Sequence, residues 1–277
     1  MKQTFEEYYS TLFGNRWPSL KNSLSEDGIH ATLCCGKEAY YLDPASLCAA
    51  LCLPLKEKEC IADLCAAPGG KSLVTALGME QTAHLDANER SASRKARLVT
   101  VLDQTLNEEL RNRITVTCSD AAPWCRTKSE CYDAILLDAP CSSERHVLAD
   151  PKYLGQWTPS RIKSLAMEQW ALLSCAWRLL KRGGHVLYAT CALNSTENDG
   201  VVNRLLKKFD DAVLLEHSQI RDTFCQRLKA QEGFISCEKV DLLSLFDSAE
   251  QTQYGLHVLP DTAFGCGPLY FCVIAKS

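Results

Sequence analysis

From about residue 60 onward, short apolar runs alternate with helical patterns. The segments 60–65 and 132–137 are almost wholly apolar, which is typical of central parallel strands that are buried on both faces. Further strands are predicted at 82–85, 114–118, 185–189, 212–215 and 269–274. Strands that alternate with helices in this way predict an α/β fold, with a doubly wound, Rossmann-like sheet covered on both sides.

Helix signals fall between these strands. A helix should follow the Pro-Gly-Gly turn at 68–70 and reach Leu77, with Gly78 as its C-terminal cap. Thr158-Pro159 should start a long helix that runs to Lys181. Two more helices are expected, at 91–106 and from Asn194 or Ser195 to about 209. Two stretches are expected to be irregular, 140–157 and 218–267.

The first 56 residues are predicted to form a small helical lead-in. Phe5, Tyr8, Tyr9, Leu12 and Phe13 recur at helical spacing. Such an aromatic stripe is more typical of docking against a larger domain than of stacking on nucleobases. Asp43-Pro44 should open a second helix, 45–53. We therefore divide the chain into an N-terminal extension, 1–56, packed on the core, and an α/β domain, 57–277.

Composition and charge narrow the class of protein. The chain is 46% hydrophobic and 23% charged, which is ordinary for a globular protein. It contains no run of about 18 apolar residues, and its start resembles neither a secretory signal nor a transit peptide. We therefore expect a cytoplasmic protein without a membrane partner, acting as a monomer. The formal net charge of -4 argues mildly against a dedicated nucleic-acid binder, although a local basic face would suffice.

Sixteen cysteines are present, which raises the question of disulfides and of zinc. The chain is long and lacks a secretion signal, so a disulfide framework is not expected. No Cys-x-x-Cys pair occurs and no spacing repeats as zinc ligands do, so we expect no metal. Most of these cysteines should be small buried side chains in a reducing cell.

A turn of small residues follows the first strand, at 63–71 (DLCAAPGGK). Its glycines would let a ligand approach the backbone and the start of the next helix closely. The turn has neither the G-x-G-x-x-G spacing of dinucleotide sites nor the G-x-x-x-x-G-K-[ST] of a P-loop. The pattern indicates a nucleoside-like ligand and disfavours a nicotinamide oxidoreductase.

Acidic residues follow the next three strands. Asp86 or Glu89 follows the second strand, where an acid typically holds ribose hydroxyls, and the residues alone do not decide between them. Asp120 follows the third strand and Asp138 follows the fourth. Since the carboxyl ends of parallel strands share one edge of the sheet, these acids should surround one ligand crevice.

Two cysteines occupy the same edge, Cys141 after the fourth strand and Cys191 after the fifth. Carbon 5 of cytosine is a poor nucleophile. A thiolate that adds to carbon 6 pushes electron density onto carbon 5, which can then accept a methyl group from a sulfonium. Two thiols facing one crevice therefore point to covalent catalysis on a pyrimidine.

These motifs resemble the Sun/Fmu (NSUN-type) family of RNA cytosine-5 methyltransferases. The resemblance spans about residues 40–275 and is carried by the segments 63–71, 87–94 (ANERSASR), 138–142 (DAPCS), 188–191 (YATC) with Glu197-Asn198, and 267–271 (GPLYF). It implies a methyltransferase that uses S-adenosyl-L-methionine and acts on rRNA or tRNA. Residues 143–146 replace the family's commoner glycine-rich continuation, as in short members acting on organellar RNA. The resemblance also implies that the N-terminal extension contacts RNA.

The resemblance implies a role for each matching residue. Cys191 matches the nucleophile, Cys141 the thiol that helps to release the product, and Asp138 the group that hydrogen-bonds ring nitrogen 3. Glu89 matches the ribose ligand. The residues that match cofactor contacts are Cys65, Ala66, Ala67, Pro68, Gly69, Gly70, Lys71, Glu89, Arg94, Asp120 and Asp138. Basic residues near the motifs are expected to meet RNA phosphates: Arg90, Arg94, Lys95, Arg145, Arg161 and Lys163.

Two rival functions remain from other classes. A DNA cytosine-5 methyltransferase would attack with the thiol of the Pro-Cys motif and would need no second one, so Cys191 disfavours it. A non-catalytic RNA-binding assembly factor would tolerate a decayed site, whereas every motif residue is intact in this sequence.

Overall fold

The computed structural model describes residues 3–277, which form twelve α-helices, twelve strands and two short 3-10 helices. The helices are α1 (Phe5–Phe13), α2 (Trp17–Ser25), α3 (Pro44–Leu51), α4 (Gly70–Gly78), α5 (Ala92–Thr105), α6 (Glu108–Asn112), α7 (Glu144–Ala149), α8 (Pro151–Gln156), α9 (Pro159–Leu179), α10 (Asp199–Lys208), α11 (His217–Ala230) and α12 (Leu242–Asp247). The strands are β1 (Ala31–Cys34), β2 (Ala39–Leu42), β3 (Cys60–Asp63), β4 (His84–Asn88), β5 (Ile114–Thr117), β6 (Tyr132–Asp138), β7 (Leu180–Thr190), β8 (Ala212–Leu214), β9 (Ile235–Ser236), β10 (Glu250–Gln251), β11 (Leu256–Val258) and β12 (Leu269–Lys276).

A nine-stranded sheet forms the centre of the molecule, in the order β10-β11-β12-β7-β6-β3-β4-β5, with β8 also paired to β12. The strands from β3 to β7 pair in parallel, and those around β12 pair antiparallel. The chain runs outward from β3 in both directions, to β4 on one side and β6 on the other. A sheet of this kind binds its ligand beyond the carboxyl ends of the strands at that switch point. The predicted α/β, Rossmann-like fold is confirmed.

Apolar layers cover both faces of the sheet. In β6, Ala134 and Leu136 join the layer built with α3 and α4, whereas Ile135 and Leu137 join the layer built with α9 and α10. Because successive side chains of a strand point to opposite faces, a strand buried on both sides must be apolar throughout. This explains why 134–137 is an unbroken apolar run.

The N-terminal lead-in begins with helices, as predicted, and docks on the main domain. Phe5 and Tyr9 are buried, and the Tyr9 ring stacks on Trp17 with centroids 5.2 Å apart. The Phe5 ring meets Trp157 edge-on at 5.4 Å. The aromatic stripe of α1 is therefore a packing surface, as the docking interpretation predicts.

The rest of the lead-in departs from the helical prediction, because β1 and β2 form an antiparallel pair inside it. The third strand of this small sheet is β9, whose Ile235 lies opposite Leu33. That partner comes from the stretch 218–267, which was predicted to be irregular but contains α11, β9, α12, β10 and β11. Because the paired segments lie about two hundred residues apart, the local sequence of either one gives little indication that they form strands.

Other element boundaries also differ from the predictions. The predicted loop at 140–157 contains α7 and α8, the latter opened by Asp150, whose side chain accepts from the amide of Lys152. The long helix stops at Leu179, since the chain already enters β7 at Leu180 opposite Tyr132. Gly78 is the last residue of α4 rather than its cap.

The helix expected from Asn194 or Ser195 begins later, at Asp199. The side chain of Asn194 accepts from the amide of Glu197 at 3.1 Å and closes a turn before the helix. No helix among residues 3–277 is long and apolar enough to cross a membrane.

Candidate functional site

A cavity of about 940 Å³ opens at the carboxyl ends of β3, β6 and β7. Its wall contains Cys65, Ala67 and Lys71 after β3, Cys141 after β6, and Cys191 after β7. A smaller cavity of about 190 Å³ shares Cys65, Lys71 and Asp138 with it and adds Ala66, Pro68 and Gly70. The structure therefore brings together residues that the sequence analysis selected separately after three different strands.

The turn after β3 is shaped by a buried acid and a glycine. Asp63 is almost completely buried, and its Oδ2 accepts a hydrogen bond of 2.6 Å from Ser72. Burial raises the pKa of Asp63 to about 7, and the nearby charge of Asp138 adds to the effect. Gly69 has φ 123°, and a Cβ there would lie 3.0 Å from Val101. The backbone therefore passes close to α5 and leaves the turn open toward the cavity.

Lys71 and Asp138 form an ion pair in the cavity wall, with Nζ 2.7 Å from Oδ2. Lys71 also donates to the Ser46 hydroxyl at 3.1 Å. Burial alone would lower the pKa of Lys71, but the charge and hydrogen bond of Asp138 outweigh it and raise that pKa. Lys71 is therefore a permanent positive charge that fixes the orientation of the Asp138 carboxylate.

The two thiols are in direct contact, with 2.8 Å between the Sγ atoms of Cys141 and Cys191. The Ser143 hydroxyl lies 3.2 Å from the Cys191 Sγ and 3.5 Å from the Cys141 Sγ. The register of β6 against β7, with Asp138 opposite Ala189, brings the two loops together. The hydrogen bond with Cys191 and burial both raise the pKa of Cys141. Cys141 therefore keeps its proton at neutral pH and can donate it.

The structure separates the two acids that the sequence left open after the second strand. Asp86 lies inside β4, accepts from the Tyr132 hydroxyl at 2.7 Å, and lines a different cavity with His84. Glu89 follows directly after β4 and is buried. Its Oε1 accepts from the amide of Ser91 at 2.9 Å. The predicted strand 82–85 ended too early, and β4 reaches Asn88.

The second oxygen of Glu89 is an unused acceptor. Among residues 3–277, no group donates a hydrogen bond to the buried Oε2. Arg94 places its Nη1 3.3 Å from this oxygen without hydrogen-bond geometry, and its Nη2 donates instead to the Ala67 carbonyl at 2.6 Å. A buried carboxylate oxygen without a donor is costly, and a ligand hydroxyl could satisfy it.

Asp120 is not brought into the cavity wall. Its side chain is exposed and accepts from the amide of Ala122 at 3.0 Å, which closes a local turn. Its contact with a cofactor stays a prediction from the family resemblance.

The cavity wall also contains Asp43, Ser46 and Ser143, which were not predicted as site residues. Asp43 was interpreted only as the start of a helix, and its Oδ1 does cap α3 by accepting from the amide of Ala45 at 2.8 Å. Its Oδ2 accepts from the amide of Gly267 at 3.0 Å, which ties the loop before β12 to the site. The Asp-Pro capping signal was visible in the sequence, but its closeness to residue 267 was not.

Three residues of the expected basic face are already engaged within the protein, Arg94 through its hydrogen bond to the Ala67 carbonyl. Arg90 pairs with Glu168 at 2.6 Å. Arg145 donates to the backbone carbonyls of Ser23, Glu26 and Gly265 and so joins α7 to α2. Arg145 also lines the cavity, and its contact with RNA phosphates stays a prediction. Arg161 and Lys163, by contrast, are exposed on α9.

Comparison with known proteins places these observations in a family. The model of the family described as "16S rRNA methyltransferase RsmB/F" matches residues 50–253. A protein of Mus musculus named "5-cytosine rRNA methyltransferase NSUN4" is 34% identical over 251 residues, covering 86% of this chain and 60% of that protein. "Ribosomal RNA small subunit methyltransferase F" of Erwinia tasmaniensis is 37% identical over 175 residues, covering 63% of this chain and 36% of that protein. The chain thus spans at most about six tenths of these relatives.

Solved structures share the fold. A "Methyltransferase Homolog Protein" from Pyrococcus horikoshii superposes with a TM-score of 0.70 at 20% identity, covering 99% of this chain and 94% of that one. "NSun6 from Pyrococcus horikoshii with SFG" superposes with a TM-score of 0.62 at 21% identity, covering 86% of this chain and 53% of that one. At these identities the likeness concerns the fold.

Proposed function

The chain belongs to the family of 16S rRNA methyltransferases RsmB/F, and from that premise we propose that it is an S-adenosyl-L-methionine-dependent RNA cytosine-5 methyltransferase. The observation that carries the proposal is the direct contact of Cys141 and Cys191 at the ends of two neighbouring strands. One thiol could serve many enzymes, whereas a second one within reach of it suits a reaction that forms and then breaks a carbon–sulfur bond. We propose rRNA as the substrate because the relatives are named for it, with tRNA as the alternative.

The cavity suits S-adenosyl-L-methionine. The free Oε2 of Glu89 is an acceptor for ribose hydroxyls. The turn from Cys65 to Lys71 offers small side chains and a close backbone to the methionine part of the cofactor. Arg94, bound to the Ala67 carbonyl, holds this turn against α5. When bound, the cofactor supplies an electrophilic methyl group on a sulfonium.

Different residues of the cavity wall then act in the successive steps of substitution at carbon 5. The Cys191 thiolate forms a bond to carbon 6, and the carbon 5–carbon 6 double bond opens. Asp138 takes up a proton when the base binds and donates a hydrogen bond to ring nitrogen 3, where negative charge builds beside the positive charge of Lys71, 2.7 Å from Asp138. Carbon 5 becomes nucleophilic and accepts the methyl group.

Release of the product needs a proton to leave carbon 5. Cys141 gives its proton to the departing Cys191 sulfur, 2.8 Å away, and the resulting thiolate takes the proton from carbon 5. The double bond re-forms, the carbon–sulfur bond breaks, and both thiols are regenerated. The raised pKa of Cys141 suits this role, because the group must be protonated before the step and basic after it.

Substitution of each thiol tests the assignment. Cys191→Ala should abolish methylation and form no adduct, because no bond to carbon 6 can form. Cys141→Ala should still attack and methylate, but should stall as a covalent protein–RNA complex, visible as a slow band on a denaturing gel. Cys118→Ala, which removes an exposed thiol elsewhere, is the control and should behave like the unmodified protein.

The substrate is tested with the same preparation. The purified chain is incubated with S-adenosyl-L-methionine and a small-subunit rRNA transcript, a tRNA pool or duplex DNA, and methylated cytosines are mapped by bisulfite sequencing. Methylation of DNA, or an adduct with Cys191→Ala and none with Cys141→Ala, would favour the DNA-type mechanism. Binding of RNA without methylation would favour the assembly factor.

The proposed chemistry also bears on where the protein acts and on its oligomeric state. We propose the cytoplasm because the reaction requires both thiols to be reduced. We propose a monomer because one chain supplies both thiols, the ion pair and the whole wall of the cavity.

A further inference from the structure

Two buried carboxylates lie behind the thiol pair, and the proposed reaction uses neither of them. Glu144 and Glu197 are both completely buried. Each holds Ser142, the residue after Cys141: its hydroxyl donates to Oε1 of Glu144, and its amide donates to Oε2 of Glu197 at 3.0 Å. Carboxylates are rarely buried without a specific reason.

Glu144 joins the two loops that carry the thiols. Its Oε1 accepts from Ser142, on the loop after β6, while its Oε2 accepts at 3.2 Å from the amide of Leu193, two residues beyond Cys191 on the loop after β7. A single carboxylate therefore sets the spacing between the two loops. Glu144 is absent from the wall of the cavity, so it can affect the reaction only by holding other residues.

The N-terminal helices reach this carboxylate directly. The hydroxyl of Tyr9, on α1, donates to Oε1 of Glu144. Tyr9 is completely buried in an apolar cluster with Trp17 and Trp157, which fixes the position of its hydroxyl. On the next residue of α7, Arg145 donates to the carbonyls of Ser23 and Glu26 at the end of α2. Helices α1 and α2 are thus both bound to the first turn after the Pro-Cys motif.

We propose that Glu144 is a positioning residue for the thiol pair, and that Tyr9 links helix α1 to that pair by holding Glu144. The proposal rests on the proposed function for its consequence in methylation. The proposed effect on the structure does not depend on that function. Without the hydrogen bond from Tyr9, we expect Glu144 to shift and the distance between Cys141 and Cys191 to change. A misplacement of about 1 Å at a reacting group can cost about a hundredfold in rate.

The test uses the full chain with Tyr9→Phe, and with Tyr8→Phe as the matched control. Tyr8 is the neighbouring residue on α1, and removing its hydroxyl leaves the three hydrogen bonds to Glu144 in place, since these come from Tyr9, Ser142 and Leu193. A second variant, Glu144→Gln, keeps the shape of the side chain. Its one carboxamide oxygen cannot serve donors on both loops as the carboxylate does, and its NH2 faces one of them.

Two readouts are measured. The first is the ratio of alkylation of Cys141 to that of Cys191 by iodoacetamide, followed by peptide mass spectrometry in the absence of RNA and cofactor. The second is the split between kcat and KM in methylation of the rRNA transcript. Tyr9→Phe and Glu144→Gln should shift the alkylation ratio and lower kcat by about ten- to a hundredfold, with KM for RNA and for the cofactor unchanged. Tyr8→Phe should match the unmodified protein in both.

The proposal is overturned if Tyr9→Phe and Glu144→Gln show the same alkylation ratio and the same kcat as Tyr8→Phe. So would a change confined to KM, which would indicate a binding role. If the Tyr9→Phe protein fails to fold, the alkylation ratio and kcat of Glu144→Gln test the proposal by themselves. If the unmodified protein methylates neither RNA, the proposed function fails, but the alkylation ratio still decides whether Tyr9 and Glu144 position the thiols.

Discussion

At the scale of single residues, a shift of three positions in the end of one strand decides which acid lies at the carboxyl end of β4. Asp86 would follow the strand if it ended at Leu85, but β4 continues to Asn88 because its register against β5 extends to Thr117. Asp86 then lies within the strand, bonded to Tyr132, and Glu89 occupies the strand end with an acceptor free. The role of Glu89 as the ribose ligand stays a prediction from the family resemblance.

The first prediction concerns these two acids. Glu89→Ala should weaken binding of S-adenosyl-L-methionine by about 1–3 kcal/mol, the cost of removing the acceptor of buried hydroxyls. Asp86→Ala is the control, because Asp86 lines a different cavity, with the first residues of β3, β4 and β6, and its loss should leave the affinity unchanged. Titration calorimetry measures both. An unchanged affinity in Glu89→Ala together with a loss in Asp86→Ala would show that the ribose lies elsewhere.

At the scale of elements, one buried arginine joins three helices. Arg227 of α11 donates to the carbonyls of Ala50 and Leu53, at and just beyond the end of α3, and to the carbonyl of Val74 in α4. Burial lowers the pKa of Arg227 to about 10. A Cβ on Gly78 would lie 2.5 Å from its guanidinium, which explains why glycine occupies the last position of α4. Helix ends leave carbonyls without partners, and Arg227 satisfies them.

Arg227→Met should therefore lower the free energy of unfolding by about 2–4 kcal/mol. Three buried carbonyls lose their donors, at about 1–3 kcal/mol for each buried group left unsatisfied, and this exceeds what is regained by no longer burying a charge. Arg221→Met, on the same helix, removes only an exposed ion pair with Asp247 and should have a much smaller effect. Urea denaturation of both variants measures the difference. Equal losses would mean that the carbonyls find other partners.

At the scale of the whole molecule, buried titratable groups act on stability in opposite directions as the pH falls. Burial lowers the pKa of His257 to about 4, so the folded protein resists its protonation, and stability is lost as the pH falls from 6.5 toward 4. Burial raises the pKa of Asp63 and of Glu144 to about 7, and the charge of Glu197 adds to the shift of Glu144. Both carboxyl groups take up protons in the folded state first, so stability is gained over the same range.

His257→Gln should therefore make the protein gain stability relative to the unmodified chain as the pH falls from 6.5 to 4, by about 3 kcal/mol at most. His30→Gln, at an exposed position, is the control and should follow the unmodified protein at every pH. Urea denaturation at several pH values between 4 and 7.5 measures the difference. Parallel curves for all three proteins would show that His257 does not resist protonation in the folded state.

Much of the fold and part of the site could be predicted from the sequence, because the features concerned are local. Strands buried on both faces are mostly apolar, so β3 and β6 were recognisable without knowing their neighbours. Residues that follow parallel strands must meet at one edge of the sheet, so Asp138, Cys141 and Cys191 could be assigned to one crevice before any distance was known. Sequence order and strand periodicity suffice for both conclusions.

The remaining features depend on contacts between residues far apart in the chain, and only the tertiary structure decided them. The β1–β2 pair needs Ile235 opposite Leu33, and the hydrogen bond from Tyr9 to Glu144 spans 135 positions. Arg145 carries the same charge as Arg161, but its position beside the end of α2 gives it backbone carbonyls as acceptors. Periodicity shows which face of an element is buried, whereas the partner on that face is set by packing, because burial does not depend on which segment supplies it.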